Sequence, residues 1–186
     1  MWEKVIVDAD FCIKIGASQK YLYLEKLLTE VAKKVYIHEV VYMEVQYPEC
    51  AKAQINKLVE QGKMEILHEK DLNDTERNMY KGIYNILGKV MLNPKKPHKN
   101  NGEVSSLAMA KVKGIPYFAT DERNLQVIVD KLLNTGIDDI YCIRIEDIIQ
   151  RIKSKEIVGF TRKEAKLIWV LAGKNKDQFD NEIWVI

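Results

Sequence analysis

The chain has 186 residues, of which 47% are hydrophobic and 30% are charged, a mixture typical of globular domains rather than disordered or fibrous chains. Its 29 basic and 27 acidic residues leave a formal net charge of +2, which excludes nucleic-acid binding by a strongly positive overall field. Contact with a nucleic acid would therefore depend on local basic patches. The three cysteines are far apart and odd in number, so neither a disulfide framework nor a zinc site is predicted.

The amino-terminal residues lead directly into a strand-like segment and do not have the pattern of a signal peptide. No apolar stretch approaches the roughly 20 residues needed to cross a bilayer. We therefore expect a cytoplasmic protein with reduced thiols and no membrane contact.

Short apolar runs alternate with segments of helical periodicity along most of the chain. Strands are predicted over residues 4–8, 35–37, 64–67, 115–120 and 140–145. Helices are predicted over residues 21–31, 38–46, 51–60, 74–87, 103–113, 125–133 and 146–155. Because this alternation favours a parallel sheet covered by helices on both faces, the predicted fold class is α/β, with three layers and a central parallel sheet.

The last part of the chain is predicted to be an extension of the main domain. We expect a domain over residues 1–150 and a helical extension over residues 151–186. Thr161 and Glu164 have the spacing of a capping box, which predicts a helix that continues to about Ala172. The apolar tail, residues 183–186, is expected to dock onto the sheet edge, a helix face or a partner.

Four acidic residues are candidates for a shared site. Asp8 and Asp121 each follow a predicted strand, and the carboxyl ends of parallel strands meet at one edge of a sheet. Glu103 begins a helix, and Glu44 lies in a segment with apolar neighbours, so we expect its helix to be largely buried. A buried carboxylate is costly unless it is paired or binds a metal.

Each of these acids also has an ordinary structural interpretation. Asp8 and Asp121 could cap the helices that follow them. Glu103 could interact with a helix dipole, and Glu44 could lie on a solvated face. If all four converge, their repulsion favours a divalent cation, and hard oxygen ligands select Mg²⁺ or Mn²⁺. Such a site is suited to phosphodiester hydrolysis.

The segments around these acids resemble the four acidic motifs of PIN-domain nucleases over residues 4–150. They are VIVDAD with Asp8, VVYMEV with Glu44, NGEVSSLAMAK with Glu103, and FATDERNL with Asp121. The resemblance implies cleavage of RNA with Mg²⁺ or Mn²⁺, and these four acids as the metal-binding and catalytic residues. It also implies that the protein can form a homodimer, or pair with an antitoxin protein as the toxin of a toxin–antitoxin pair.

Three further residues are expected to support the site by the same resemblance. Thr120 matches the small hydroxyl residue before the last acid, and Asp10 follows the first acid. Asn124 stands where the family commonly has a further acid. This departure favours a hypothesis of one metal ion, or of a second ion that arrives only with the substrate.

Basic residues near the acids are candidates for contact with the RNA backbone. Lys96 and Lys99 lie in the polar loop before Glu103, and Lys14 and Arg123 lie close in sequence to Asp8 and Asp121. The alternative is that these are ordinary solvated charges. None of the three histidines is assigned to catalysis.

Two other functions stay open at this point. One is a non-catalytic PIN-like module that binds RNA or a protein partner. The other is a phosphohydrolase, because Asp8-Ala9-Asp10 resembles the D-x-D motif of haloacid dehalogenase-like enzymes. The Lys and the later acidic pair that this second chemistry needs have no matching motif in the chain.

Overall fold

The computed structural model describes residues 1–96 and 99–185. The strands are β1 (Trp2–Val7), β2 (Ala32–His38), β3 (Met64–Leu67), β4 (Tyr117–Ala119) and β5 (Tyr141–Ile143). The helices are α1 (Ala9–Gly16), α2 (Tyr23–Val31), α3 (Glu39–Glu44), α4 (Glu49–Glu60), α5 (Asp74–Met91), α6 (Asn101–Val112), α7 (Leu125–Leu132), α8 (Ile145–Lys153), α9 (Arg162–Leu171) and the single turn α10 (Lys176–Gln178). A short 3₁₀ turn spans Glu69–Asp71, and a π-helical turn spans Phe179–Ile183.

The five strands form one all-parallel sheet in the order β3-β2-β1-β4-β5. Strand β1 is central, and its Val7 pairs with Ile37 of β2 on one side and Ala119 of β4 on the other. The chain order reverses between β1 and β4, and in open parallel sheets ligands bind beyond the carboxyl ends of the strands at such a point. The edge that carries Asp8 is therefore where a ligand is expected to bind in a sheet of this topology.

Side chains of β1 alternate between the two faces of the sheet, as a strand requires. Val5 and Val7 pack into a core that also contains residues of α1, α2, α4, α8 and α9. Ile6 points the other way, into a second core built with α5, α6 and α7. The prediction of an α/β fold with a central parallel sheet between two helical layers is confirmed.

Two local expectations differ from the structure. Helix α1 was not predicted, although its buried face of Phe11, Cys12 and Ile15 has helical spacing. The helix predicted over residues 38–46 is the six-residue α3, in which only Val41 is buried. The expectation of a largely buried helix around Glu44 is therefore wrong, because fewer than two turns can present only a narrow face to the sheet.

The capping box of the last part of the chain is confirmed, since Thr161 and Glu164 satisfy each other's backbone N–H groups at the start of α9. Ile168 and Trp169 of this helix are buried in the same core as β1. Trp184 stacks on Phe179, with 5.6 Å between the ring centroids. The division at residue 150 stays a prediction, and the last residue of the expected docking tail, Ile186, lies outside the described residues.

Within residues 1–96 and 99–185, no helix has both the length and the apolar character that crossing a membrane would require.

Candidate metal centre

Asp8 lies in the middle of the carboxyl edge of the sheet. Its backbone N–H donates to the Ala119 carbonyl of β4 at 3.0 Å, and the residue is only 3% exposed. Its Oδ1 accepts the N–H of Ala9 at 2.7 Å, so Asp8 also caps α1. The same residue therefore ends a central strand, as expected, and is also the helix cap that was the alternative interpretation.

The first turn of α6 brings Glu44 and Glu103 close together. The Glu44 carboxylate lies directly against Gly102, since a Cβ on Gly102 would be only 2.6 Å from Glu44 Oε2. Glu103, the next residue, is half-buried. Glycine at this position therefore allows a carboxylate from an exposed residue of α3 to reach the start of α6.

Negative charges surround Asp8. Burial raises the pKa of its carboxyl from 3.8 to about 8, and the charges of Glu103, Asp10 and Glu44 act in the same direction. The Ala9 N–H bond lowers this pKa. Lys14 pairs with Asp10, whereas Asp8, Glu44 and Glu103 have no ion pair among the described residues.

The pKa values of the two glutamates are raised for the same reasons. Glu44 is exposed as a whole residue, but the position of its carboxylate against Gly102 removes water and raises its pKa, and the charge of Glu103 adds to this effect. Burial also raises the pKa of Glu103, as do the charges of Glu122 and Asp10, whereas Lys99 lowers it. Glu122 was not predicted, and it is one of the acidic residues that act on the site.

Asp121 has different surroundings, because lysine ammonium groups face both of its oxygens. Lys14 Nζ lies 3.1 Å from Asp121 Oδ2 and 2.6 Å from Asp10 Oδ2. Lys174 Nζ lies 2.9 Å from Asp121 Oδ1 and 2.8 Å from Glu146 Oε1. Lys174 was not predicted as a site residue. In the sequence it stands in a polar turn, where nothing distinguishes it from a lysine exposed to solvent.

The structure thus brings three of the predicted acids into one electrostatic group and pairs the fourth with lysines. All four predicted acids lie within the described residues. No three of them have carboxylate oxygens within 4.8 Å of one another. The set of four ligands stays a prediction, and the residues are Asp8, Glu44, Glu103 and Asp121.

The three predicted supporting residues lie at the same edge of the sheet. Asp10 is exposed in the first turn of α1 and pairs with Lys14. Thr120 is fully buried, and its Oγ1 accepts the Glu122 N–H at 3.2 Å, so it shapes the turn after β4. Asn124 is exposed at the start of α7 and makes no side-chain cap. Their roles stay predictions.

Of the predicted substrate contacts, Lys14 forms ion pairs with Asp10 and Asp121. Lys99 is exposed and acts on the pKa of Glu103. Lys96 is exposed in a turn closed by its N–H bond to the Asn93 carbonyl, at 2.8 Å. Arg123 lines a separate cavity of about 470 Å³. Pro97 and His98 of the same loop lie outside the described residues.

A second group of possible ligand atoms lies beside this edge, where His38, Glu39 and Glu69 offer atoms within 4.8 Å of one another. Burial lowers the pKa of His38 to about 4, so its ring is neutral at pH 7. Its Nδ1 accepts the Val40 N–H at 3.2 Å, which places the ring proton on Nε2. That nitrogen faces Tyr80 Oη at 3.4 Å and has no lone pair for a metal.

The group around His38 is therefore a hydrogen-bonded chain. The Tyr80 hydroxyl donates to Glu69 Oε1 at 2.8 Å, and the Glu69 N–H donates to Glu39 at 2.8 Å. A cavity of about 750 Å³ lies between this chain and the acids near Asp8. It is lined by Glu39, Val40, Met43, Glu44, Glu69 and Asn101. Three carboxylates in its wall would repel a phosphate unless a cation neutralised them.

No protein-family model and no curated protein matches the chain. A solved structure of VapBC2 from Rickettsia felis, bound to a DNA fragment from their promoter, is similar to it with a TM-score of 0.44. The identity is 11%, and the match covers 76% of this chain and 98% of that chain. A likeness at this level carries no argument about the function of the chain.

Proposed function

We propose that this chain is a metal-dependent ribonuclease of the PIN type, which holds Mg²⁺ or Mn²⁺ at the carboxyl edge of its sheet. The observation that carries the proposal is the buried Asp8 carboxyl at the point where the strand order reverses. The charges of Glu103, Asp10 and Glu44 act on it, and Asp8 itself has no ion pair among the described residues. A divalent cation would relieve this repulsion.

The chemical type of the donor atoms suits such an ion. Asp8, Glu44 and Glu103 offer hard carboxylate oxygens and no thiolate or imidazole, a set that suits Mg²⁺ or Mn²⁺ better than Zn²⁺. When bound, the ion would supply an activated water and stabilise charge on a phosphate. Asp121 would join the ligands only if it exchanged its contacts with Lys14 and Lys174.

The protein's own groups have distinct roles in this proposal. Gly102, which has no side chain, leaves room for the Glu44 carboxylate at the start of α6. Lys14, which is partly exposed, and Lys99 present ammonium groups to a phosphate backbone at the rim. Single-stranded or structured RNA is the proposed substrate, and a second copy of the chain or an antitoxin protein is the proposed partner.

The proposal is tested by incubating the purified protein with RNA in Mn²⁺, in Mg²⁺ and in EDTA. We expect cleavage only with a metal, and its loss in Asp8→Asn. Asp74→Asn is a matched control, because it makes the same chemical change at a side chain that is 99% exposed on α5. If no RNA is cut under any condition, and Asp8→Asn behaves like the parent, the proposed activity is refuted.

A non-catalytic module that binds RNA or protein is the second candidate. The observation that favours it is that Asp121, one of the four predicted metal ligands, is already paired with two lysines. Melting temperatures distinguish the two, because a ligand that binds only the folded state raises stability by about 2.7 kcal/mol at 100 times its Kd. A module without a metal site would show no such rise with Mn²⁺.

A further inference from the structure

Two of the chain's five arginines, Arg123 and Arg144, line one cavity of about 470 Å³ beside β5. The other three, which are Arg77, Arg151 and Arg162, each form an ion pair with a carboxylate. The ion pairs of residues 1–96 and 99–185 include no further arginine. This cavity therefore has two guanidinium groups that are available to an anion.

The acidic residues in the wall of this cavity have other partners. Glu146 Oε1 accepts from the ammonium group of Lys174 at 2.8 Å. Asp147 is exposed, and its Oδ2 accepts the backbone N–H of Arg144 at 2.9 Å at the start of α8. Neither acid therefore uses the guanidinium donors of the two arginines.

The backbone edge of β5 cannot accept a peptide strand at this point. β5 is an end strand of the sheet, and such an edge can pair with a strand of another chain. Here the side-chain amide of Gln126 takes the place of that strand, because its Oε1 accepts the Cys142 N–H at 2.6 Å and its Nε2 donates to the Ile140 carbonyl at 3.2 Å. A ligand beside β5 must therefore be recognised by side chains.

A second cavity, of about 480 Å³, adjoins the first along β5, since two residues line both. Three aromatic rings lie in a row in its wall, with 5.7 Å between the centroids of Trp2 and Tyr117 and 6.1 Å between those of Tyr117 and Tyr141. Trp2 is buried at the inner end of the row, whereas Tyr141 at the outer end is 53% exposed. Tyr141 and Arg144 are three residues apart, which is about 10 Å in an extended chain.

An exposed aromatic ring beside guanidinium groups is a combination that binds single-stranded nucleic acids, because guanidinium groups hold a phosphate and the ring stacks on an unpaired base. We propose that the two cavities form one groove for single-stranded RNA, in which Arg123 and Arg144 hold a backbone phosphate and Tyr141 stacks on a base. The groove begins at the carboxyl edge of the sheet, where Arg123 is two residues from Asp121, and follows β5 toward its amino end. The inference rests on the proposed function, and it adds Arg144 and Tyr141 to the residues that contact the substrate.

The test is the affinity for a fluorescein-labelled single-stranded RNA of about 12 nucleotides, measured by fluorescence anisotropy in EDTA so that no metal supports cleavage. We expect Arg144→Gln to raise the Kd about tenfold and to lower the slope of log Kd against log salt concentration by about 1, because a phosphate contact is lost. Tyr141→Ser should also raise the Kd about tenfold but leave this slope unchanged, whereas Tyr141→Phe keeps the ring and should bind like the parent. Arg77→Gln is the matched control, because it removes the same charge from an ion pair on α5, and it should leave the Kd unchanged.

Arg123→Gln, at an exposed side chain, is a second variant in case Arg144→Gln does not fold, and the same loss of affinity is expected. An unchanged Kd in folded Arg144→Gln and Arg123→Gln, an unchanged Kd in Tyr141→Ser, or an equal loss in Arg77→Gln would overturn the inference. So would a parent protein that does not bind this RNA in EDTA. None of these outcomes decides the proposed function, which fails only if the parent cuts no RNA with Mn²⁺ or Mg²⁺.

Discussion

Replacing Asp8 with Asn should stabilise the metal-free protein, and the gain should grow with pH. The folded pKa of Asp8 is about 8 and the value for an unperturbed carboxyl is 3.8, so between these values the folded state holds a proton that the unfolded state has lost. The stability of the parent therefore falls as pH rises through this window. Asn keeps the size of the side chain and its ability to cap α1, and it has no charge.

The size of the effect follows from the separation of the two pKa values. At about 1.36 kcal/mol per pH unit, the separation of the two pKa values corresponds to an upper limit of roughly 6 kcal/mol well above pH 8 and roughly 5 kcal/mol at pH 8. At pH 5 the same relation gives a destabilisation of the parent by about 2 kcal/mol. Glu44 and Glu103 also take up protons near Asp8, and this sharing reduces the part that belongs to Asp8 alone.

The measurement is urea unfolding of the parent and Asp8→Asn in EDTA at pH 5 and at pH 8. The stability difference between them should be about 3 kcal/mol larger at pH 8, which is a large share of the total stability of a typical domain. Asp74→Asn, at an exposed carboxylate, should show no comparable change with pH. A difference for Asp8→Asn that is constant from pH 5 to pH 8 would refute the argument that Asp8 is buried among uncompensated charges.

Three other substitutions test separate parts of the structure. Gly102→Ala places a Cβ 2.6 Å from Glu44 Oε2, so Mn²⁺ binding measured by calorimetry should weaken by about tenfold while the helix signal is retained. Glu164→Gln should lose about 1 kcal/mol at pH 7 and less as pH falls from 4.5 to about 2, because the folded pKa of Glu164, lowered by Lys26 and the Thr161 N–H, is about 2. Urea unfolding at several pH values checks this. Ile168→Ala should cost roughly 2–5 kcal/mol in one cooperative transition, since Ile168 is buried in the core of β1. A second transition would show that the last segment folds separately.

Much of the fold could be predicted because its signals are local. The strand Met64–Leu67 has the predicted bounds, and the capping box of Thr161 follows from a spacing of three residues. Helix α1 escaped prediction because its eight residues follow a strand directly and contain only a short periodic pattern. Glu44 was placed on a buried helix because its neighbours are apolar, although a helix of six residues buries only Val41.

The order of apolar and polar residues determined that this chain forms a parallel sheet between two helical layers, because strand and helix periodicities are properties of neighbouring residues. That order also located Asp8 and Asp121 after strands that share one edge. Tertiary structure decided what surrounds each carboxylate. Lys174 reaches Asp121 through the turn after α9, and Glu44 reaches α6 because residue 102 is glycine. A charge pair between distant segments cannot be predicted from sequence periodicity, because it depends on how whole helices and strands pack together.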